Sequence, residues 1–240
     1  MKPVLFRSSA CLCVAAALWC SAGSSLAFDI PPPPPPVYEG LILPLFPNAT
    51  TVPFTGQSGS GTGKRPGAIG STQVQGGSRV EESARQLAQA VPVEQRERTR
   101  QAYVQAFEVY RQLERKLGLP AGDAAGAVAA YIAGNYMALH GVEVPDPHFL
   151  QLARQMRVAL DKSPDFRRLS PSGRRRLYEQ SAMVGTFMAV THLSLQKNPQ
   201  PAVEQNFRNA ARAHLQAALN TAPDRVLIDG SGLHLQEQSR

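Results

Sequence analysis

The sequence predicts an all-α protein, a single bundle of five or six helices behind a long disordered N-terminal segment rich in proline and glycine. From residue 78 onward, apolar residues recur at spacings of three and four, which is the period of one helix face. Residues 28–77 hold ten of the 20 prolines and nine of the 19 glycines, a composition that does not form a core. No window alternates strictly between apolar and polar residues, so we expect no sheet.

The first 27 residues have the organisation of a secretory leader. Lys2 and Arg7 precede an apolar run of about ten residues, and small residues lead to a cleavage site after Ala27. Because a membrane span needs about twenty apolar residues, cleavage is favoured over an uncleaved anchor. A lipid anchor at Cys20 is disfavoured because the bulky Trp19 precedes it. We therefore expect an exported protein, periplasmic or secreted, with no transmembrane span after cleavage.

All three cysteines lie within this leader. A mature chain that begins at Phe28 would have no cysteine, which excludes disulfide bonds, thiolate catalysis and cysteine-ligated zinc. Its net charge would fall from +7 to +5, because two basic residues leave with the leader. An exported chain without cysteine is typical of bacterial periplasms, so a bacterial envelope or secreted protein is expected.

The predicted domains are the leader (residues 1–27), a Pro/Gly-rich linker (28–77) and a helical domain (78–240). Six consecutive prolines in the linker favour a stiff polyproline II stretch, and its Gly-rich second half is typical of a flexible coil. Between them lies an apolar strip, residues 37–46. Two interpretations of this strip stay open: it docks on the helical domain or on a partner, or it is an incidental apolar stretch in a tail.

The helical domain opens with a helix over residues 78–90, where Ser78 is placed to cap it and Glu81 stands at the capping-box position. A second amphipathic helix covers residues 93–117, and a Gly-Leu-Pro segment ends it. The third helix, residues 121–139, has a small residue at every fourth position, which predicts a tightly packed core helix approached closely by a neighbour. This ridge consists of Gly122, Gly126, Ala130, Gly134 and Ala138.

Three more helices follow. The fourth covers residues 146–161 and is broken by a Ser-Pro-Asp-Phe segment. Ser170 then caps a fifth helix that runs to residue 196, with proline at its first position. This fifth helix is apolar nearly all round, as in the centre of a bundle. A sixth helix covers residues 199–220, and residues 223–235 form a terminal strip expected to pack on the bundle.

Motif searches find no catalytic signature, and we expect neither a metal nor a cofactor. The Gly-rich stretch over residues 56–64 lacks the spacing of a phosphate-binding loop, and no histidine pair has zinc-ligand spacing. Three groups remain as a hypothetical buried polar site: Glu179, His192 and His214. A buried glutamate beside an arginine run usually pairs with arginine, and histidines on apolar faces are usually satisfied within the core. The alternative is an enzyme whose site combines the three.

Basic residues concentrate between residues 154 and 176, where eight basic and two acidic residues give a net charge of +6. We call this stretch the basic elbow, because it joins two helices. Such a surface suits an anionic envelope surface or an acidic protein. Nucleic acid is disfavoured because few aromatic residues accompany the charges. The other interpretation is a solvated face with some internal pairing. The candidate binding residues are Arg154, Arg157, Arg167, Arg168, Arg174, Arg175 and Arg176.

Four segments carry a family resemblance. They are the end of the small-residue helix (133–141), a stretch that looks like the family's Arg-rich helix and Asp-x-Phe element (152–170), a basic residue before Glu (175–179) and a closing strip (227–233). Together they make residues 100–235 similar to an uncharacterised family of exported bacterial proteins with an all-helical domain of unknown function. Where that family has Lys-Gln before the glutamate, this chain has arginines. The resemblance implies a helical fold and carries over no catalytic residue.

These observations favour a non-enzymatic helical binding module of the cell envelope, held on a Pro/Gly-rich arm. Its partner would be an unknown protein or an anionic envelope surface. The alternatives are an enzyme with a His/Glu site inside the bundle, and a secreted effector or immunity-like protein.

Overall fold

The computed structural model describes residues 72–236. The predicted leader, the apolar strip and most of the predicted linker lie outside this range. Within it the chain is mainly helical, which confirms the all-α prediction. The elements are α1 (Val80–Ala88), α2 (Val93–Lys116), α3 (Ala124–His140), α4 (Asp146–Lys162), α5 (Pro164–Arg168), α6 (Pro171–Lys197), α7 (Pro201–Leu219), a 3-10 turn (Pro223–Arg225), β1 (Val226–Asp229) and β2 (Gly232–Leu235).

Helix α5 forms where the sequence predicted only a break. The Ser163 side-chain oxygen accepts a hydrogen bond from the Phe166 backbone N at 3.2 Å, and Pro164 occupies the first helical position. Serine as a cap followed by proline is a standard helix start, so the segment that ends α4 also begins a new turn. Phe166 is buried and holds this turn against the bundle.

A hairpin at the C terminus corrects the expectation that no sheet forms. Strand β1 pairs with β2 in antiparallel register, from Val226 opposite Leu235 to Asp229 opposite Gly232. Strands of four residues are too short to show a clear alternation in sequence. The hairpin packs on α4, as predicted for the terminal strip: the Leu233 backbone N donates to the Gln155 side chain at 2.6 Å.

The centre of the molecule is α3, which is buried at every residue from 124 to 139. Helices α4, α6 and α7 pack around it. A side chain at Gly134 would collide with the Gly185 backbone carbonyl of α6, and one at Gly185 would collide with the Ala130 carbonyl. The predicted close approach at the small-residue ridge is therefore confirmed here. Gly122 instead precedes the helix, in a left-handed conformation with φ +71°.

Aromatic side chains join α2 to α6. The Tyr103 ring meets the Phe187 ring edge-on with centroids 5.5 Å apart, and Phe107 meets Tyr178 at 5.7 Å. Helix α1 lies over this pair of helices. Within residues 72–236, no helix combines the length and apolar content needed to cross a membrane.

Candidate functional site

The basic elbow is built from the second half of α4, all of α5 and the first turns of α6. Arg154 and Lys162 are exposed on one stripe of α4, eight residues apart. Arg167 and Arg168 on α5 are also exposed, and 78 % of the Arg168 side chain is accessible to solvent. Arg176 is exposed on α6. Five cations of the elbow therefore face solvent.

The other three arginines of the elbow have partners inside the molecule. Arg174 donates from Nη2 to the Arg167 backbone oxygen at 3.0 Å, and its guanidinium lies 4.9 Å from the centre of the Phe166 ring. Arg175 donates from Nη2 to the Gly76 backbone oxygen at 2.5 Å. These contacts fix the angle between α5 and α6 and fasten the chain that precedes α1.

Arg157 pairs with a buried aspartate that sequence analysis did not single out. Its Nη2 lies 2.5 Å from Oδ2 of Asp123, whose side chain is 1 % exposed. The other carboxylate oxygen, Oδ1, accepts from the Thr72 hydroxyl at 2.5 Å and from the Ala125 backbone N at 3.3 Å. Asp123 is the N-cap of α3, and an aspartate directly before an apolar helix is the signal that identifies such a residue.

The segment before α1 therefore belongs to the folded domain. The Ala124 backbone N donates to the Thr72 oxygen at 3.0 Å, and the Val74 backbone N donates to the Gly122 oxygen at 2.9 Å. Thr72 itself is buried. Within the described residues, the contacts of the helical domain thus include residue 72, six positions before the predicted boundary.

Glu179 is fully buried, and its partners lie on α1. Its Oε1 accepts from the Arg79 backbone N at 2.8 Å, and its Oε2 accepts from the Ser83 hydroxyl at 2.6 Å. Arg79, not Ser78, is the N-cap of α1. The Arg79 side chain makes no capping hydrogen bond. The carboxylate therefore takes over the capping that the sequence assigned to Ser78, and it binds an amide and a hydroxyl where an arginine was expected.

His214 is fully buried and is satisfied within the core. Its Nδ1 lies 2.7 Å from Oδ1 of Asn135 on α3. Its ring packs in a tilted orientation against the Tyr131 ring, with centroids 5.7 Å apart. Asn135 donates in turn to the Tyr131 backbone oxygen at 2.8 Å. This arrangement joins α7 to α3. It matches the expectation that a histidine on an apolar helix face is satisfied within the core.

His192 faces a different region, a cavity of about 270 Å³ between α6 and the start of α7. Glu204 and Arg208 also line it. Burial lowers the pKa of the imidazole, and Glu204 opposes this shift. Glu179 lies thirteen positions earlier on the same helix, about 20 Å away along its axis. The structure therefore does not bring Glu179, His192 and His214 together, and within residues 72–236 they form no common catalytic site.

A third buried carboxylate, Glu114 on α2, was not singled out by sequence. Its Oε1 accepts from the Gly122 backbone N at 2.9 Å and from the Tyr178 hydroxyl at 3.1 Å. Burial raises the pKa of this carboxyl group, although these hydrogen bonds and Arg111 favour its charged form. Its position four residues after the core residue Tyr110 is the signal that places it on the inner face. Its contacts close the turn between α2 and α3, which is a structural role.

The family model of DUF6683, a family of unknown function, matches residues 64–236. The chain belongs to this family. The DUF6683 match confirms the resemblance to an uncharacterised family and includes the basic elbow, both buried glutamates and the docked segment at Thr72. It begins before residue 78, in agreement with the contacts of Thr72. No curated protein and no solved structure matches the chain.

Proposed function

We propose that this protein is a non-enzymatic binding module of the bacterial cell envelope, and that its basic elbow binds an anionic envelope surface such as phospholipid or lipopolysaccharide headgroups. The observation that carries the proposal is the set of five exposed cations on α4, α5 and α6. Of the two carboxylates in the elbow, Asp165 pairs with Arg168 at 3.4 Å at the surface. The elbow therefore keeps a net positive charge on its outer face.

The shape of the elbow supports binding to a surface. Arg174 holds the junction of α5 and α6 by its contact with Arg167, and Arg175 fastens α6 to Gly76, so the exposed arginines project from a fixed support. On α4, Val158 is 49 % exposed, midway between Arg154 and Lys162. A cation, an apolar residue and a second cation along one stripe suit the boundary between headgroups and acyl chains. The predicted export of the chain supports the proposal, because it would bring the elbow to such surfaces.

The energetics support reversible attachment. A lysine or arginine near an anionic membrane contributes about 1 kcal/mol, so five exposed cations supply about 5 kcal/mol at low ionic strength. This attraction falls as salt screens the charges. A surface interaction of this strength concentrates the protein on an envelope without fixing it there.

Vesicle sedimentation tests the proposal. For the double variant Arg167→Ala/Arg168→Ala we expect about thirtyfold weaker partition onto phosphatidylglycerol vesicles, corresponding to about 2 kcal/mol. The matched control is Arg115→Ala/Lys197→Ala, which removes the same charge from exposed positions outside the elbow. The control should retain most of the binding.

Equal losses in both double variants would show that net charge, and not the elbow, governs binding. A failure of the unchanged chain to sediment with anionic vesicles would also overturn the proposal. If the unchanged chain instead retained an acidic protein from envelope fractions, and the Arg167/Arg168 variant did not, the partner would be a protein and the lipid surface would be rejected.

A further inference from the structure

An apolar cleft opens between the second halves of α2 and α6, with α3 as its floor. Leu113 and Leu117 form one wall, and Ala189 and Leu193 form the other. The cleft is deep because Gly134, at the close crossing of α3 and α6, has no side chain to fill it. The cleft has a volume of about 40 Å³, which is more than a water molecule needs and suits the end of one apolar side chain.

The cleft has a charged boundary on one side, and no segment within residues 72–236 covers its opening. Lys116 and Asp146 form an ion pair at 3.1 Å beside it, between the end of α2 and the start of α4. Leu113, Leu117 and Ala189 are only partly buried, although they pack against the core. A cleft with apolar walls and one charged end favours an apolar occupant over a polar ligand.

We infer that this cleft binds the apolar strip of the same chain, residues 37–46, through one of its aliphatic side chains. The strip holds Leu41, Ile42 and Leu43 in succession and is the apolar cluster of the segment that precedes the helical domain. This inference is independent of the ligand proposed for the basic elbow, which lies on other helix faces.

The length of chain outside the described residues fits this occupant. Thr72 is fastened to Asp123 at the start of α3, and Gly134 lies ten residues after Ala124, about 15 Å along the helix axis. Twenty-five residues separate the strip from Thr72. A Gly-rich chain of that length has a root-mean-square span of about 25–30 Å. The strip therefore reaches the cleft without stretching, at an effective concentration on the order of millimolar.

Disulfide trapping tests the inference in the full chain, with Cys11, Cys13 and Cys20 changed to serine. Cysteine is then introduced at Ile42→Cys and Ala189→Cys, a pair that joins the strip to the cleft. The matched control pairs Ile42→Cys with Val158→Cys. Val158 is exposed and follows Arg157, which binds Asp123, the partner of Thr72. The chain that joins the strip to Thr72 therefore reaches Val158 as easily as it reaches Ala189. We expect the disulfide within one chain to form at least tenfold faster in the test pair.

A strip variant checks that side-chain recognition causes the difference. Adding Leu41→Ser/Leu43→Ser to the test pair should reduce trapping to the control rate, while the helical domain keeps its melting temperature. Equal rates in the test and control pairs would overturn the inference. A disulfide that joins two chains and depends on protein concentration would also overturn it, since a second copy would then be the occupant.

Discussion

Glu179 illustrates how a single buried side chain can organise a distant helix. Its carboxylate accepts from the Arg79 backbone N and from the Ser83 hydroxyl, which lie 100 and 96 positions away along the chain. An anion at a helix N-terminus is favourable, because backbone N–H groups there lack partners within the helix. Glu179 thus fastens the first turn of α1 to α6.

Removal of this carboxylate should destabilise the protein. For Glu179→Ala we expect the free energy of unfolding to fall by about 3 kcal/mol, because two hydrogen bonds to a charged group are lost in a dry environment. Glu179→Gln should lose only about 1 kcal/mol, since the amide keeps an oxygen for the Arg79 N–H and loses the charge. Urea unfolding followed by circular dichroism measures both values, and hydrogen exchange should show faster exchange in α1.

The exposed Glu108→Ala is the control on α2 and should change stability by less than about 0.5 kcal/mol. Similar losses for Glu179→Ala and Glu108→Ala would contradict the capping role. A second check is the variant Ser83→Ala, whose effect should shrink when Glu179 is already alanine.

At the level of elements, the contact between α3 and α6 depends on two glycines, Gly134 and Gly185. Gly134 belongs to a ridge of small residues spaced by four, so the sequence predicts a close approach. Its partner Gly185 also lies in a series of small residues spaced by four, Ser181, Gly185 and Ala189, which the sequence prediction did not use. A periodic pattern shows which face packs closely, but the partner is chosen by tertiary structure.

Gly185→Ala tests this crossing. The added methyl group would collide with the Ala130 carbonyl and the Tyr131 backbone N, so the two helices must separate. We expect a loss of about 3 kcal/mol in unfolding free energy, from overpacking against rigid backbone. Thermal unfolding measures it.

Gly173→Ala, on the same helix, is the matched control. There the nearest atom to an added methyl group is the Ser170 hydroxyl oxygen at 3.4 Å, an ordinary contact. Alanine is a better helix former than glycine, so this variant should be neutral or more stable by about 0.5–1 kcal/mol. Stabilisation by both substitutions would rule out a tight crossing at Gly185.

Sequence patterns predicted the elements that depend on local signals. Helices α2, α3, α4, α6 and α7 follow from their periodicity, and Ser170 caps α6 through a bond from the Gly173 backbone N at 3.1 Å, as predicted. The cap of α1 depends on a distant group, Glu179, and such a contact leaves no short-range signal. The hairpin has a local signal, the Gly230-Ser231 loop between two apolar runs, but its strands are too short for a prediction based on strict alternation.

For the whole molecule, the candidate site likewise combines a feature that the local sequence reveals with contacts that depend on distant partners. Charge counting located the basic elbow, and Arg167 and Arg168 are exposed there. It could not separate them from Arg157 and Arg175, which bind Asp123 and Gly76, because these partners come from elsewhere in the chain. The proposed surface therefore uses part of the predicted set, and the remaining arginines support it.

The extent of the folded domain also depends on long-range contacts. The composition of the chain changes near residue 78, which predicted a boundary there. Residues 72–77 nevertheless contact α3 and α6 through Thr72, Val74 and Gly76. A polar segment adds little apolar area to a core, so its role in the fold is visible only through its hydrogen bonds.

A chain that begins at residue 78 should consequently be less stable than one that begins at residue 70. It lacks four hydrogen bonds made by Thr72, Val74 and Gly76, and Asp123 keeps its ion pair with Arg157 but loses the Thr72 hydroxyl. At about 1 kcal/mol for each bond, we expect a loss of about 3–4 kcal/mol and a melting temperature about 10 °C lower. Calorimetry measures the difference. As a control, chains that begin at residues 56 and 70 should melt together, because both keep these bonds. Equal melting of the chains that begin at 70 and 78 would instead place the boundary of the domain at residue 78.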